Sequence, residues 1–193
     1  MLGGSYLLTK LLLPALENAA AAEGEGQSGT VRGAARVINV SSGGMYAVSA
    51  TGVAEDLNSL KVDPYDGTLI YAAAKRVQVI LTEMWAVRKN PNTGNGLVTF
   101  NSMHPGWVDT PGLSTGMPSF RESRGASLRS SEQGGDTITW LACSEAAAGE
   151  TGKFWFDRKA RRTHMPLAGT RESESERGAL WDAVEKYCAS TSS

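Results

Sequence analysis

Tyr71 and Lys75 are the residues whose types and spacing point most directly to chemistry. Four positions apart, they share one face of a helix, about one turn from each other. A phenol with an ordinary pKa near ~10 is a poor base at neutral pH. A neighbouring ammonium favours the phenolate, and a tyrosine so placed can donate and accept a proton. Upstream stand Ser41 and Ser42, followed by Gly43 and Gly44; a serine hydroxyl there can hydrogen-bond the oxygen that the tyrosine protonates. Downstream, His104-Pro105-Gly106-Trp107-Val108-Asp109-Thr110 combines a tight turn, exposed backbone groups and a hydroxyl.

Other chemistries are excluded by spacing. Ser42, His104 and Asp109 are the residue types of a hydrolase triad, but there is no GxSxG elbow, and His and Asp on one turn do not suit a triad. Cys143 and Cys188 have no CxxC spacing and no histidine cluster, so no metal site is expected. Cys143, in TWLAC, reads as a core residue, and the two cysteines fit a reducing compartment, hence the cytoplasm. Gly24-Glu-Gly26-Gln-Ser-Gly29 is a literal GxGxxG. It follows a helical pattern and precedes a strand, the reverse of a dinucleotide fingerprint, and reads as a loop.

The elements that must position Tyr71 and Lys75 follow from hydrophobic patterning. Residues 5–22 read as an amphipathic helix interrupted by Pro14, with Leu8, Leu11, Leu12, Ala15 and Leu16 on its apolar face. Lys10, Pro14 and Glu17 break this stretch too often for a signal-peptide core. A Gly-rich loop follows at 23–33. RVINVSS is a short β-branched run that reads as a buried strand. A long connection spans 43–68, with turn signals at Asp63-Pro64 and Asp66-Gly67. Residues 69–89 form a helix whose Ile70, Ala73, Ala74, Val77, Ile80, Leu81 and Met84 repeat at helical spacing. After a loop at 90–96, LVTFNSMHP is a second strand. Residues 107–130 lack periodicity and read as a mobile loop; 131–146 form a helix; KFWF at 153–156 is a third strand. The last helix spans 176–189, with Leu180, Trp181, Val184 and Tyr187 on one face. RKARR at 158–162 and RESESER at 171–177 read as solvated loops.

Alternating helices and strands predict a parallel α/β sheet, with ligands beyond the carboxyl ends of its strands. The whole chain has 193 residues, 41% hydrophobic and 20% charged, which suits one globular domain. Lys plus Arg number 19 against 20 Asp plus Glu, a balance not built to neutralise a phosphate backbone, so nucleic acid is not an expected partner. No apolar run is long enough for a transmembrane helix.

NVSSGG, YAAAK and HPGWVDT, in this order and at these strand ends, resemble the short-chain dehydrogenase/reductase family, over residues from about 5 to 165. EDLNSL, KRVQVILTEMWA, SEQGGDTITWLA and GKFWFDRK are similar to its retinol-dehydrogenase-like branch. The resemblance implies a Rossmann-type doubly wound parallel sheet, here its carboxyl-terminal part, with three strands and flanking helices. It implies NAD or NADP as cofactor and a small carbonyl or alcohol as substrate. Ser42 would polarise the substrate oxygen, Tyr71 would be the general acid/base, and Lys75 would steady the phenolate and bind the nicotinamide ribose. Pro105, Gly106, Trp107, Val108 and Thr110 would hold the nicotinamide end. Trp107 and the loop 111–130 would border the substrate. Pairing of two copies through the helices at 5–20 and 69–89 is also implied.

The family's Gly-rich turn, its NAD-or-NADP selecting residue and its NAG-type segment have no counterpart here. The expectation is therefore a single partial domain over 1–193, closing with a helix and tail at 166–193. In the family's sheet order, RVINV would then be an exposed apolar edge, and this chain alone would bind NAD(P)H weakly or not at all. The alternative to an oxidoreductase is a non-catalytic relative that acts through protein–protein association.

Overall fold

A computed structural model describes residues 2–25, 34–51, 53–55, 57, 66–89 and 98–190. The chain opens with helix α1, Leu2–Glu25, which runs through Pro14. Strand β1, Ala35–Val40, follows. It ends in a single 3₁₀ turn, Gly43–Ala47. Helix α2 is Gly67–Lys89 and strand β2 is Val98–Met103. Two short helices, α3 at Pro111–Gly116 and α4 at Pro118–Arg124, precede helix α5, Ser131–Cys143. Strands β3, Phe154–Phe156, and β4, Lys159–Arg161, lead to helix α6, Glu174–Ser190. The expected loops at 26–33 and 90–96, and most of 52–65, lie outside the described residues; Gly24 and Glu25 belong to α1.

Among the described residues the sheet has the order β1-β2-β3-β4. β1 and β2 pair in parallel, with Val37 opposite Phe100 and Val40 opposite Met103. β2 and β3 are also parallel, whereas β4 returns antiparallel. Every residue of β2 is buried, as a central strand requires. Three parallel strands are as expected. The fourth is a correction to the solvated loop read at 158–162: its residues are exposed, but they are a strand. Its turn places Asp157 at φ 51° and Arg158 at φ 56°, the two-residue hairpin geometry that usually selects Gly or Asn. Arg158 N donates to Thr137 Oγ1 at 3.2 Å and its guanidinium pairs with Asp136, holding the strained turn.

Helices cover both faces of the sheet. On one face α1, α2 and α6 enclose Tyr6, Leu13, Val77, Ile80, Trp85, Val98, Phe100, Leu180, Trp181 and Val184. Four rings interlock there: Trp85 lies 4.8 Å from Trp181, 5.3 Å from Tyr6 and 5.8 Å from Phe100. Alternate residues point to the other face, where Met103 and Trp155 meet Leu141 of α5. Arg36 donates to the carbonyls of Leu141 and Ser144 at 2.7 and 2.9 Å, satisfying the end of α5 from the sheet.

Three faces differ from expectation. α1 buries Tyr6, Thr9, Leu13 and Ala20, with Leu16 packed beside them, and leaves Leu8, Leu11, Leu12 and Ala15 exposed. Both stripes have helical spacing and both are apolar, so pattern alone does not choose between them. Cys143 is exposed, because α5 buries Gly134, Thr137 and Leu141 and its last residue falls off that stripe. In α6, Cys188 takes the inward place expected of Tyr187.

Candidate active site

Parallel pairing brings the carboxyl ends of β1 and β2 side by side, so Ser41 and His104 emerge together. Ser41 N donates to Met103 O at 2.7 Å. Ser41 Oγ, buried, donates to Lys75 O at 2.8 Å and so fastens the strand end to α2. That commitment leaves the second serine for chemistry. Ser42 caps the 3₁₀ turn, its Oγ accepting from Gly44 N at 3.3 Å. An accepting hydroxyl keeps its own proton to donate. A Cβ on Gly43 would lie 3.7 Å from the His104 ring, and one on Gly44 would lie 3.8 Å from Ala72 Cβ. The turn is thus pressed between the β2 end and the first turns of α2.

On α2, Lys75 Nζ lies 5.6 Å from the centroid of the Tyr71 ring. The same Nζ donates to Val40 O at 2.9 Å, which aims the ammonium at the strand ends. Burial lowers the Lys75 pKa from its ordinary value. Tyr71, the fifth residue of a mostly buried helix, is itself 44% exposed. Ser42, Tyr71 and Lys75 therefore gather at one end of the sheet.

Beyond β2 the turn is tightly built. Gly106 has φ 82°, a conformation that favours glycine. Its N–H donates to His104 Nδ1 at 3.3 Å. A Cβ on Gly106 would sit 2.8 Å from Arg129 Nε. His104 is stacked against Phe154 and Phe156, with centroids at 5.5 and 4.1 Å. Burial, then the Arg129 charge, push its pKa down to about 4, so the ring is neutral at pH 7. Arg129 is held in turn by Asp157, at 2.5 and 2.9 Å. The Arg129 pairing, through hydrogen bonding, lowers the Asp157 pKa.

The remaining expected residues contact the helices that follow. Trp107 is half-exposed, with Phe120 edge-on at 5.6 Å and the Arg124 guanidinium 4.1 Å from its ring centroid. Val108 pairs with Arg129 and packs on Gly134, where a Cβ would meet Val108 Cγ2 at 2.5 Å. Thr110 caps α3, its Oγ1 accepting from Leu113 N at 3.2 Å, with Pro111 opening the helix. The stretch 107–130, read as structureless, thus contains α3 and α4. Among the described residues no group of three or more His, Cys, Asp or Glu could hold a metal ion, and none of the helices is long and apolar enough to cross a membrane.

Sequence reasoning passed over one group beside the site. Arg76, the residue after Lys75, is 1% exposed and pairs with Glu172, 6% exposed, through Nε–Oε1 and Nη2–Oε2 contacts at 2.9 and 2.6 Å. Glu172 lies in the run read as a solvated loop; part of that run is buried and part opens α6. The available signal was an arginine within the apolar stretch of α2: a buried guanidinium requires a carboxylate.

No family model matches the chain. In sequence and fold it is nevertheless similar to the short-chain dehydrogenase/reductase family. It is 43% identical over 184 residues to human dehydrogenase/reductase SDR family member 12, a match covering 95% of this chain and 51% of that protein. The bovine protein of the same name is 42% identical over the same lengths. Mouse retinol dehydrogenase 14 is 30% identical over 190 residues, 94% of this chain and 49% of that one. Among solved structures, the 3-ketoacyl-(acyl-carrier-protein) reductase of Brucella melitensis complexed with NADH superposes with a TM-score of 0.51 at 25% identity, covering 78% of this chain and 50% of that one. The chain spans about half the length of the curated relatives it matches.

Proposed function

We propose that this chain carries the catalytic side of an NAD(P)-dependent oxidoreductase acting on a small carbonyl or alcohol. The observation that carries the reading is the Lys75 ammonium, fixed by Val40 O at 2.9 Å and set 5.6 Å from the Tyr71 ring, at the strand end where Ser42 caps its turn. The residues fit the nicotinamide end of the cofactor. Lys75 gives one of its three N–H donors to Val40 O, leaving two for ribose hydroxyls. Gly106 holds the 105–108 turn at φ 82°, with Arg129 packed where a side chain would stand. Pro105, Gly106, Trp107, Val108 and Thr110 would complete that end beside Tyr71 and Lys75.

A nicotinamide held by these residues would supply hydride-transfer chemistry, to a carbonyl carbon or from an alcohol carbon. Ser42 donates a hydrogen bond to the substrate oxygen. The Tyr71 hydroxyl gives its proton to that oxygen as negative charge develops on it. Lys75 stabilises the phenolate left behind. The test is an assay of the whole protein with NADH and NADPH on retinoid, steroid and lipid carbonyls. Cofactor oxidation with one of these classes supports the reading; no oxidation of NADH or NADPH with any carbonyl, and no reduction of NAD+ or NADP+ with the matching alcohols, defeats it.

A second reading, association without catalysis, has one observation in its favour: α1 leaves Leu8, Leu11 and Leu12 exposed in a single stripe. A second copy of this chain would cover it. Sedimentation that shows a dimer weakened by Leu8→Glu with Leu12→Glu supports this reading; a monomer at all concentrations rejects it.

A further inference from the structure

We propose that the buried Arg76–Glu172 pair positions the Ser42 turn against the Tyr71 helix, so that both residues act on one substrate oxygen. This rests on the oxidoreductase reading. Two adjacent stripes of α2 divide the work. Tyr71 and Lys75 form one. Ala72, Arg76 and Val79 form the other, and that stripe faces the turn: Ala72 packs beneath Gly44, and Val79 joins Met45 and Tyr46.

The guanidinium ties together three segments distant in sequence. Its Nη1 contacts Met45 Sδ at 3.4 Å, inside the turn that Ser42 caps, and also donates to Thr163 O. Nη2 approaches His164 Nδ1 at 2.8 Å. Glu172 Oε1, already bound to Arg76 Nε, accepts from Ala50 N at 3.0 Å, beyond the same turn. Tyr46 OH donates to Arg162 O at 2.7 Å and adds a second tie between the turn and this segment. The turn is therefore gripped at Met45 and Tyr46, and the segment just after it at Ala50, by Arg76, Glu172 and the carbonyl of Arg162. Ser42 itself makes no contact with the pair; it is placed through the turn that it caps.

A buried ion pair is not by itself a source of stability. Apolar residues in place of the pair would leave the N–H of Ala50 and the carbonyl of Thr163 without these partners. What the pair adds is a fixed geometry between the turn and the helix.

Amide hydrogen exchange on the whole protein tests this without any turnover. In Glu172→Gln, exchange across 43–50 and 163–172 is expected to rise together by about tenfold or more, while amides of β1, β2 and the core of α2 stay within about twofold. Unchanged exchange at 43–50, or an equal rise in every element, would overturn the proposal. If Glu172→Gln does not fold, Arg76→Lys, which keeps the charge and loses the fork, is held to the same pattern. If the protein turns over a carbonyl, kcat in either variant falls about tenfold or more while KM for the cofactor stays within about twofold; an equal loss in both would also overturn it. A wild-type protein without turnover defeats the oxidoreductase reading and leaves the exchange result to decide the positioning of the turn.

Discussion

The Nζ of Lys75 donates to the backbone carbonyl of Val40 across 2.9 Å, from the third turn of α2 to the last residue of β1. This bond makes the ammonium part of the sheet end rather than of a free lysine side chain. It runs beside a second bond in the opposite sense, Ser41 Oγ to Lys75 O. Strand end and helix are thus cross-tied at one residue, and the Tyr71 ring projects from the same stripe of α2.

The neutral His104 makes a pH prediction. Its folded pKa of about 4 lies below the ordinary value of 6.5. A depressed histidine means that the unfolded chain binds more protons between these values, so stability falls as pH drops from about 6.5 to about 4. The ring is only partly buried, and after solvent screening the effect is on the order of 2 kcal/mol. His104→Phe keeps an aromatic ring against Phe154 and Phe156 and removes the titration. Urea unfolding of the variant is expected to show a shallower loss of stability over that pH range. An identical slope would mean that other groups carry the acid sensitivity.

Gly106→Ala is expected to destabilise the fold by about 1–3 kcal/mol. A Cβ there meets two problems at once: a backbone with φ 82° and the Arg129 side chain at 2.8 Å. Denaturant midpoints at constant slope measure the loss. A variant as stable as the wild type would show that the turn relaxes freely and does not hold a fixed shape.

Much of this architecture is readable from pattern, and the misses have physical causes. The stripe Ala73, Ala74, Val77, Ile80, Leu81 and Met84 of α2 is inward as its spacing says, whereas the burial of all of β2 is not legible in its pattern, because Thr99, Asn101 and Ser102 are polar and buried. The hairpin at β4 was hidden because Arg158 occupies a φ > 0 position without being Gly or Asn. α3 and α4 are too short for periodicity, although Thr110-Pro111 and Met117-Pro118 are local start signals. Glu172 looked solvated because a charge run carries no information about which single member finds a buried partner. NVSSGG and HPGWVDT stand out because each ends a strand, and strand ends converge in a parallel sheet; YAAAK stands out by its helical spacing alone.

The aromatic cluster predicts where the fold is most vulnerable. Trp181 touches Tyr6 at 5.0 Å and Trp85 at 4.8 Å and is 5% exposed. Trp181→Ala should cost about 3–5 kcal/mol, seen as a lowered denaturation midpoint. A loss under about 1 kcal/mol would show that α6 is dispensable to the core.

The oxidoreductase reading stands on Tyr71, and one substitution there tests it most directly. In the whole protein, Tyr71→Phe removes a single oxygen from a half-exposed ring. Carbonyl reduction, followed by cofactor oxidation, is expected to fall by about 10²–10⁴-fold, while cofactor affinity by titration stays close to that of the wild type. Turnover retained at the wild-type rate in Tyr71→Phe would contradict the account.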